Sequence, residues 1–169
     1  MRPALFLLAV GTTVACASGP SFEAFREDLR QRAAGRAELG YGDSPTTTLS
    51  FGPDPNNKRE SAYFRLPFDV PSLAGMTALR LRVWRDDGVV VYLNGLEIAR
   101  NNLPTGVITS STYALATISD NDEAQPIELV LPAARLATGI NVIAAEVHQD
   151  RPVSSDLRFS LELAVLGRD

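Results

Sequence analysis

The stretch Leu79-Arg80-Leu81-Arg82-Val83-Trp84-Arg85-Asp86-Asp87-Gly88-Val89-Val90-Val91-Tyr92-Leu93-Asn94-Gly95-Leu96-Glu97-Ile98-Ala99-Arg100 decides the fold. Leu79, Leu81 and Val83 alternate with Arg80, Arg82 and Trp84, the period of two that a strand with one buried face requires. Asn94-Gly95 between apolar residues is a two-residue hairpin signal, because both residue types accept positive φ. That turn sets Leu93 opposite Leu96 and Val91 opposite Ile98. Asp86-Asp87-Gly88 predicts a second turn, for which two registers compete. A two-residue Asp87-Gly88 loop pairs Arg82 with Leu93 and Trp84 with Val91, mixing charge into the apolar face. A three-residue loop with left-handed Gly88 pairs Leu81 with Leu93 and Val83 with Val91. A one-residue slip turns every side chain over, so the apolar pattern selects the three-residue loop. One face then carries Leu81, Val83, Val91, Leu93, Leu96 and Ile98, and the other Arg82, Trp84, Val90, Tyr92, Glu97 and Ala99.

The same alternation recurs to either side. Ala62, Phe64, Leu66 and Phe68 form one set, Ile127, Leu129 and Leu131 a second, and Leu157, Phe159, Leu161, Leu163 and Val165 a third. Asn141 to Gln149 is apolar on both faces, as expected of an interior strand. From Gly40 to Asn57 the chain is rich in Gly, Pro, Asp, Asn and Thr, which predicts loops around at most one strand, Thr46 to Phe51. Many short strands with hardly any helix predict an all-β chain of two stacked antiparallel sheets, a β-sandwich. The sandwich spans 39–169. Before it, 18–38 holds a short amphipathic helix: Phe22, Phe25 and Leu29 share a face, Ser21 is the N-cap and Gly35 the stop.

Residues 1–17 are expected to be a targeting signal. Arg2 gives a positive start, Ala4 to Val10 is an apolar run too short to span a bilayer, and small residues follow. Two outcomes stand side by side. Ala15-Cys16-Ala17 is a small-x-small cleavage site that releases a secreted or periplasmic protein near Ser18. Thr13-Val14-Ala15-Cys16 instead resembles a bacterial lipobox, in which Cys16 is lipidated and anchors an outer-membrane or cell-surface protein; such a lipid is then the chain's only membrane contact. With a formal net charge of -4 the chain lacks the basic surface that nucleic acid binding needs. One histidine and one cysteine are too few for a Cys/His zinc site or an internal disulfide.

Asp86-Asp87-Gly88 through Val91-Tyr92-Leu93-Asn94-Gly95 resembles the DDG…VYLNG hairpin of a galactose-binding-like jelly-roll module of bacterial secreted proteins, often found beside metallophosphoesterase domains. Leu39 to Asp43, the Tyr63-Phe64-Arg65 strand, Arg100 to Gly106, Glu146-Val147-His148-Gln149 and Ser154-Ser155-Asp156-Leu157 extend the likeness over about Leu39 to Leu163. The resemblance implies a jelly roll with an accessory role and marks Arg65, Asp86, Asp87, Gly88, Asn94, Gly95, Arg100, Glu146, His148 and Asp156 as its structural motif. It names no ligand. The module often opens with an aromatic strand, which is here missing or supplied by a partner.

Three constellations are able to carry chemistry. Trp84, Tyr92, Arg82 and Glu97 suit the apolar faces and hydroxyl edges of sugars; alternatively another segment covers them, or Arg82 stacks on an aromatic ring. Asp43, Asp86, Asp87, Asp120, Asp122, Glu123 and Asp156 supply oxygen for structural calcium, although turn chemistry alone accounts for Asp86 and Asp87. Glu146 and His148 share a strand face, but no nucleophile elbow, H-E-x-x-H pair or phosphate loop accompanies them. Their expected role is structural, with Arg65 or Arg100 paired to Glu146 and the imidazole tying loop backbone together. No catalytic residue, cofactor or metal ligand is assigned. The expectation is a non-catalytic module that weakly recognises carbohydrate or another envelope component. The alternatives are a protein-docking module and a piece of an extracellular metallophosphoesterase.

Overall fold

Apolar residues two apart along the chain end on two sheets that face each other. The computed structural model describes residues 38–42 and 44–167, with the strand backbone of 5–7 and 11–12. In chain order the strands are β1 (Leu5–Leu7), β2 (Gly11–Thr12), β3 (Leu39–Tyr41), β4 (Thr47–Thr48), β5 (Ser61–Val70), β6 (Met76–Asp86), β7 (Gly88–Leu93), β8 (Leu96–Asn101), β9 (Ile127–Pro132), β10 (Gly139–His148) and β11 (Leu157–Gly167). A single helical turn, α1 (Asp120–Glu123), precedes β9. The first sheet runs β4-β3-β11-β6-β9, with β1 also beside β11; the second runs β2-β5-β10-β7-β8. Pairing is antiparallel except between β3 and β4. The molecule is the antiparallel β-sandwich that the alternation predicts. The helix expected over Phe22 to Leu29, Cys16 and Asp43 lie outside the described residues.

Leu79, Leu81 and Val83 of β6 and Leu157, Phe159, Leu161 and Leu163 of β11 pack against Phe64, Val89, Val91, Leu93, Ile143, Ala145 and Val147 of the second sheet. Phe64 and Phe159 stack across the two layers with ring centroids 4.4 Å apart. Each large side chain so buried contributes roughly 1.5–3 kcal/mol.

The expected turn at Asp86-Asp87-Gly88 is overturned. β6 pairs with β11 and β9, and β7 pairs with β10 and β8, so both edges of each strand are taken and the two cannot form a hairpin. Asp86, opposite Arg158, closes the β6 ladder in the first sheet, and Gly88, opposite His148, opens β7 in the second. The Asp86–Asp87 peptide bond at this crossover is cis. Leu81, Val83, Val91 and Leu93 do share one core, but they meet across it rather than side by side. Alternation dictates which face of a strand is buried, and it is silent on which sheet the strand joins. Nor is Gly88 left-handed. Its hydrogen is needed because a Cβ there would lie 2.9 Å from both the Asn102 carbonyl oxygen and Leu103 Cδ2.

The Asn94-Gly95 hairpin forms as expected at its tip, with φ of 52° and 81° and Leu93 opposite Leu96. A bulge then shifts the register, so Val91 faces Ala99 instead of Ile98, and Leu96 is exposed rather than in the core. The strand expected over Thr46 to Phe51 shrinks to Thr47–Thr48, because its partner β3 is only three residues long. Leu49 and Phe51 still pack against the core.

Candidate functional site

The expected aromatic face is divided between the two outer surfaces of the sandwich. Arg82 and Trp84 stand on the outward side of β6, whereas Tyr92 and Glu97 belong to β7 and β8 of the other sheet. The Arg82 guanidinium lies 4.8 Å over the Trp84 ring. It is held there by Glu162 at 3.1 Å and Glu128 at 3.4 Å. On the far side, Arg100 forks onto both carboxylate oxygens of Glu97, at 2.9 and 2.7 Å, and also donates to the Pro104 and Gly106 carbonyls. That hydrogen-bonded partner holds the Glu97 carboxyl below its usual range.

Glu146 and His148 stand on β10, an interior strand between β5 and β7. His148 is fully buried. Its Nδ1 donates to the Thr112 carbonyl at 2.7 Å, and its Nε2 lies 3.4 Å from Glu146 Oε2. The imidazole thus ties the 102–119 loop over the second sheet. Among the described residues no arginine reaches ion-pair distance of Glu146, although the Arg100 charge still feels it. Arg65 lies opposite Ala144, Tyr63 and Val90 flank Glu146, and Arg100 is engaged by Glu97. Strand register, rather than nearness of motifs in sequence, decides who meets whom.

The four acids that come together lie at the sheet crossover. Asp87 is wholly buried and spends its carboxylate on backbone, accepting from Ile118 N and Asp150 N at 2.8 Å each. It therefore binds two loops to the crossover, which turn chemistry alone does not explain. Asp86 is oriented differently. Its carboxylate, that of Glu123 in α1 and that of Asp156 just before β11 all place an oxygen within 4.8 Å of one another. Asp86 is 3% exposed and Glu123 5%. Asp86 Oδ2 has no hydrogen-bond partner. Burial, then the neighbouring Asp87, pushes the Asp86 carboxyl up to about 9.

The walls of this pocket are polar, and among them Gln149 Oε1 has no hydrogen-bond partner. Gln149 Nε2 donates to the Tyr41 hydroxyl at 2.6 Å and to the Asp156 carbonyl at 2.9 Å. Burial, with Asp86 and Asp156 close by, raises the Tyr41 phenol well above its ordinary value. Arg85 gives its guanidinium to Asn101 Oδ1 at 2.9 Å and the Asp122 carbonyl at 3.3 Å. Lys58 lies over the Tyr41 and Phe51 rings and donates to the Ser154 carbonyl. Among the described residues, no basic side chain reaches ion-pair distance of Asp86 or Asp156.

Two polar residues at core-facing positions escaped the sequence reading. Asn141, fully buried, accepts from Ala137 N and Asn94 Nδ2 and donates to the Ala137 and Gly139 carbonyls. Its signal was present: it falls in phase with Ile143, Ala145 and Val147, where a polar side chain must find partners. Gln149, also fully buried, had only its place in the Glu146–Gln149 motif to mark it.

No family model and no curated protein matches this chain. Among solved structures it is similar to a calcium-binding mutant of Bacteroides uniformis beta-glucuronidase 2, with TM-score 0.53 and 11% identity, over 98% of this chain and 18% of that one. It is also similar to a beta-glucuronidase of an uncultured Clostridium sp., with TM-score 0.52 and 15% identity, over 99% of this chain and 29% of that one. At such identity the likeness is one of fold. This chain spans less than a third of either glycosidase.

Proposed function

We propose that this chain is an exported, non-catalytic module of the galactose-binding-like jelly-roll type that recognises carbohydrate or another component of the cell envelope. The observation that carries this reading is that the same sandwich forms a minor part of two chains named as glycosidases. We read the matched fraction as an accessory domain, because it makes up less than a third of either chain. The partial coverage also favours the related reading of an accessory to a larger extracellular enzyme. A non-catalytic role accords with how the acid–base candidates are placed: His148 is buried and gives its Nδ1 to the Thr112 carbonyl, and its Nε2 faces Glu146.

The contact surface offered is the outer side of β6, where the half-buried Trp84 ring is fixed in place by Arg82. Arg82 covers one side of the ring, so a sugar meets its remaining exposed surface and hydrogen-bonds to Glu128 or Glu162. Trp84 is the only tryptophan, so intrinsic fluorescence reports on this surface alone. Titration with uronic-acid oligosaccharides and a broad glycan array is expected to give a saturable response that Trp84→Ala removes without unfolding the protein. Silence across the array would turn the assignment to protein docking.

A further inference from the structure

We propose that the outer face of the second sheet holds a binding site for a neutral saccharide, in a groove that runs along β10 between Tyr63 and Arg65 of β5 and Tyr92 of β7. Such a site rests on the carbohydrate reading above, but not on Trp84, which stands on the outer face of the other sheet. Strand register builds the groove. Arg65, Ala144 and Tyr92 lie in one row across three neighbouring strands, and Tyr63, Glu146 and Val90 lie in the next. Ala144 contributes only a methyl group, so the floor sinks between two long side chains whose strands are roughly 9–10 Å apart.

One end of the groove is closed. Val90 and His148 alternate with the core residues of their strands and so face outward, yet both are fully buried. The 102–119 loop lies over them: Thr112 meets His148, while Pro104 and Gly106 meet Arg100, which stands opposite Val90. Beyond the loop the groove is open. Tyr63, Tyr92, Ala144 and Glu146 are half-buried there, and Arg65 is exposed.

Charge selects the ligand. Among the described residues Arg65 forms no ion pair, and it stands diagonal to Glu146, at a spacing of roughly 7–8 Å. A hydroxyl-bearing ligand between them accepts from the guanidinium and donates to the carboxylate. Beyond Tyr92, Glu97 and Arg100 neutralise each other. An anion in the groove would meet Glu146 and a cation would meet Arg65, whereas a neutral polyol satisfies both. The Tyr63 and Tyr92 rings supply the rigid apolar contact that the C–H face of a sugar takes. Burial, then the Glu146 and Glu97 carboxylates, raises the Tyr92 phenol, which stays protonated and able to donate.

The test follows amide NMR spectra of the full chain during titration with neutral cello-, manno- and galacto-oligosaccharides and with uronic-acid oligosaccharides. At least one neutral glycan is expected to shift the amides of 63–65, 92 and 142–146 saturably. Arg65→Gln should weaken that binding by roughly tenfold or more, the loss of one charge-assisted hydrogen bond, at an unchanged melting temperature. Ala144→Leu, which fills the groove from its half-exposed floor, should weaken it as well, and Trp84→Ala should leave it unchanged. Shifts confined to the amides around Trp84 and indifferent to Arg65→Gln would overturn the groove and leave the carbohydrate reading standing. Silence toward every glycan would overturn both. Uronic-acid oligosaccharides that bind the groove more tightly than neutral ones would overturn the assignment of a neutral ligand.

Discussion

Gly88 and Gly95 are both turn-type glycines in the sequence, and the structure uses them for opposite reasons. Gly95 has φ of +81° with nothing within 4 Å of where a Cβ would stand, so its need is purely conformational. Gly88 has an ordinary backbone but no room, being pressed against the Asn102 carbonyl and Leu103. Gly95→Ala is therefore expected to cost about 1 kcal/mol, the price of a left-handed alanine. Gly88→Val must push backbone aside in a packed crossover and should cost more, about 2–3 kcal/mol. Urea denaturation of the two variants measures the difference. Equal, small losses would mean that Gly88 sits in an open turn after all. The neighbouring acids carry the same lesson. Asp86 and Asp87 look like loop-tip residues, yet one braces two loops and the other closes an acidic pocket, because the chain enters the interior between the sheets at that point.

At the scale of elements, the Asn94-Gly95 turn does more than reverse the chain. Asn94 Oδ1 accepts from Val142 N at 2.9 Å and its Nδ2 donates to Asn141 Oδ1 at 2.8 Å, stapling the β7–β8 hairpin to β10. Asn141 is in turn the buried hub of the 137–141 turn that leads into β10. Asn94→Gly preserves the left-handed backbone that the turn demands while deleting these bonds and a third, from Nδ2 to the Arg135 carbonyl. It should cost about 1–2 kcal/mol, and hydrogen exchange should quicken first at Val142. An unchanged melting temperature with unchanged exchange would reduce Asn94 to a turn residue. The β8 bulge explains why hairpin reasoning stops two pairs from the tip: Leu93–Leu96 is dictated locally by the turn, whereas the shift at Val91 is not.

For the whole molecule, the proposed export makes a prediction about the N-terminus. The lipobox reading makes Cys16 the anchor point, and cleavage after Ala17 makes the protein freely soluble. Expressed in a bacterium that processes lipoproteins, the native protein is expected to partition into the detergent phase, and Cys16→Ser to remain aqueous. A mature chain found by mass spectrometry to begin at Ser18 would refute lipidation. Either cut, if made, would remove the residues of β1 and β2, which pair with Glu162–Ala164 and with Phe64–Arg65. The sandwich left would rest on β3 to β11, whose core side chains are those already described.

The amino-acid sequence alone determined the class of fold, the identity of most strands and the burial of their faces. Period-two alternation is written directly in residues such as Leu157, Phe159, Leu161 and Leu163, and apolar burial drives folding whichever neighbour supplies the surface. The Asn94-Gly95 tip was legible for the same reason, since a two-residue turn depends only on local φ preferences. What only the tertiary structure decided is partnership. Whether Asp86-Asp87-Gly88 turns back beside β6 or crosses to the opposite sheet leaves every inward side chain inward, so alternation does not distinguish the two. That one choice divided Trp84 from Tyr92 and drew Asp86, Glu123 and Asp156 together from positions 37 and 33 residues apart in the chain. Such contacts arise from the packing of elements distant in sequence, and no local propensity encodes them.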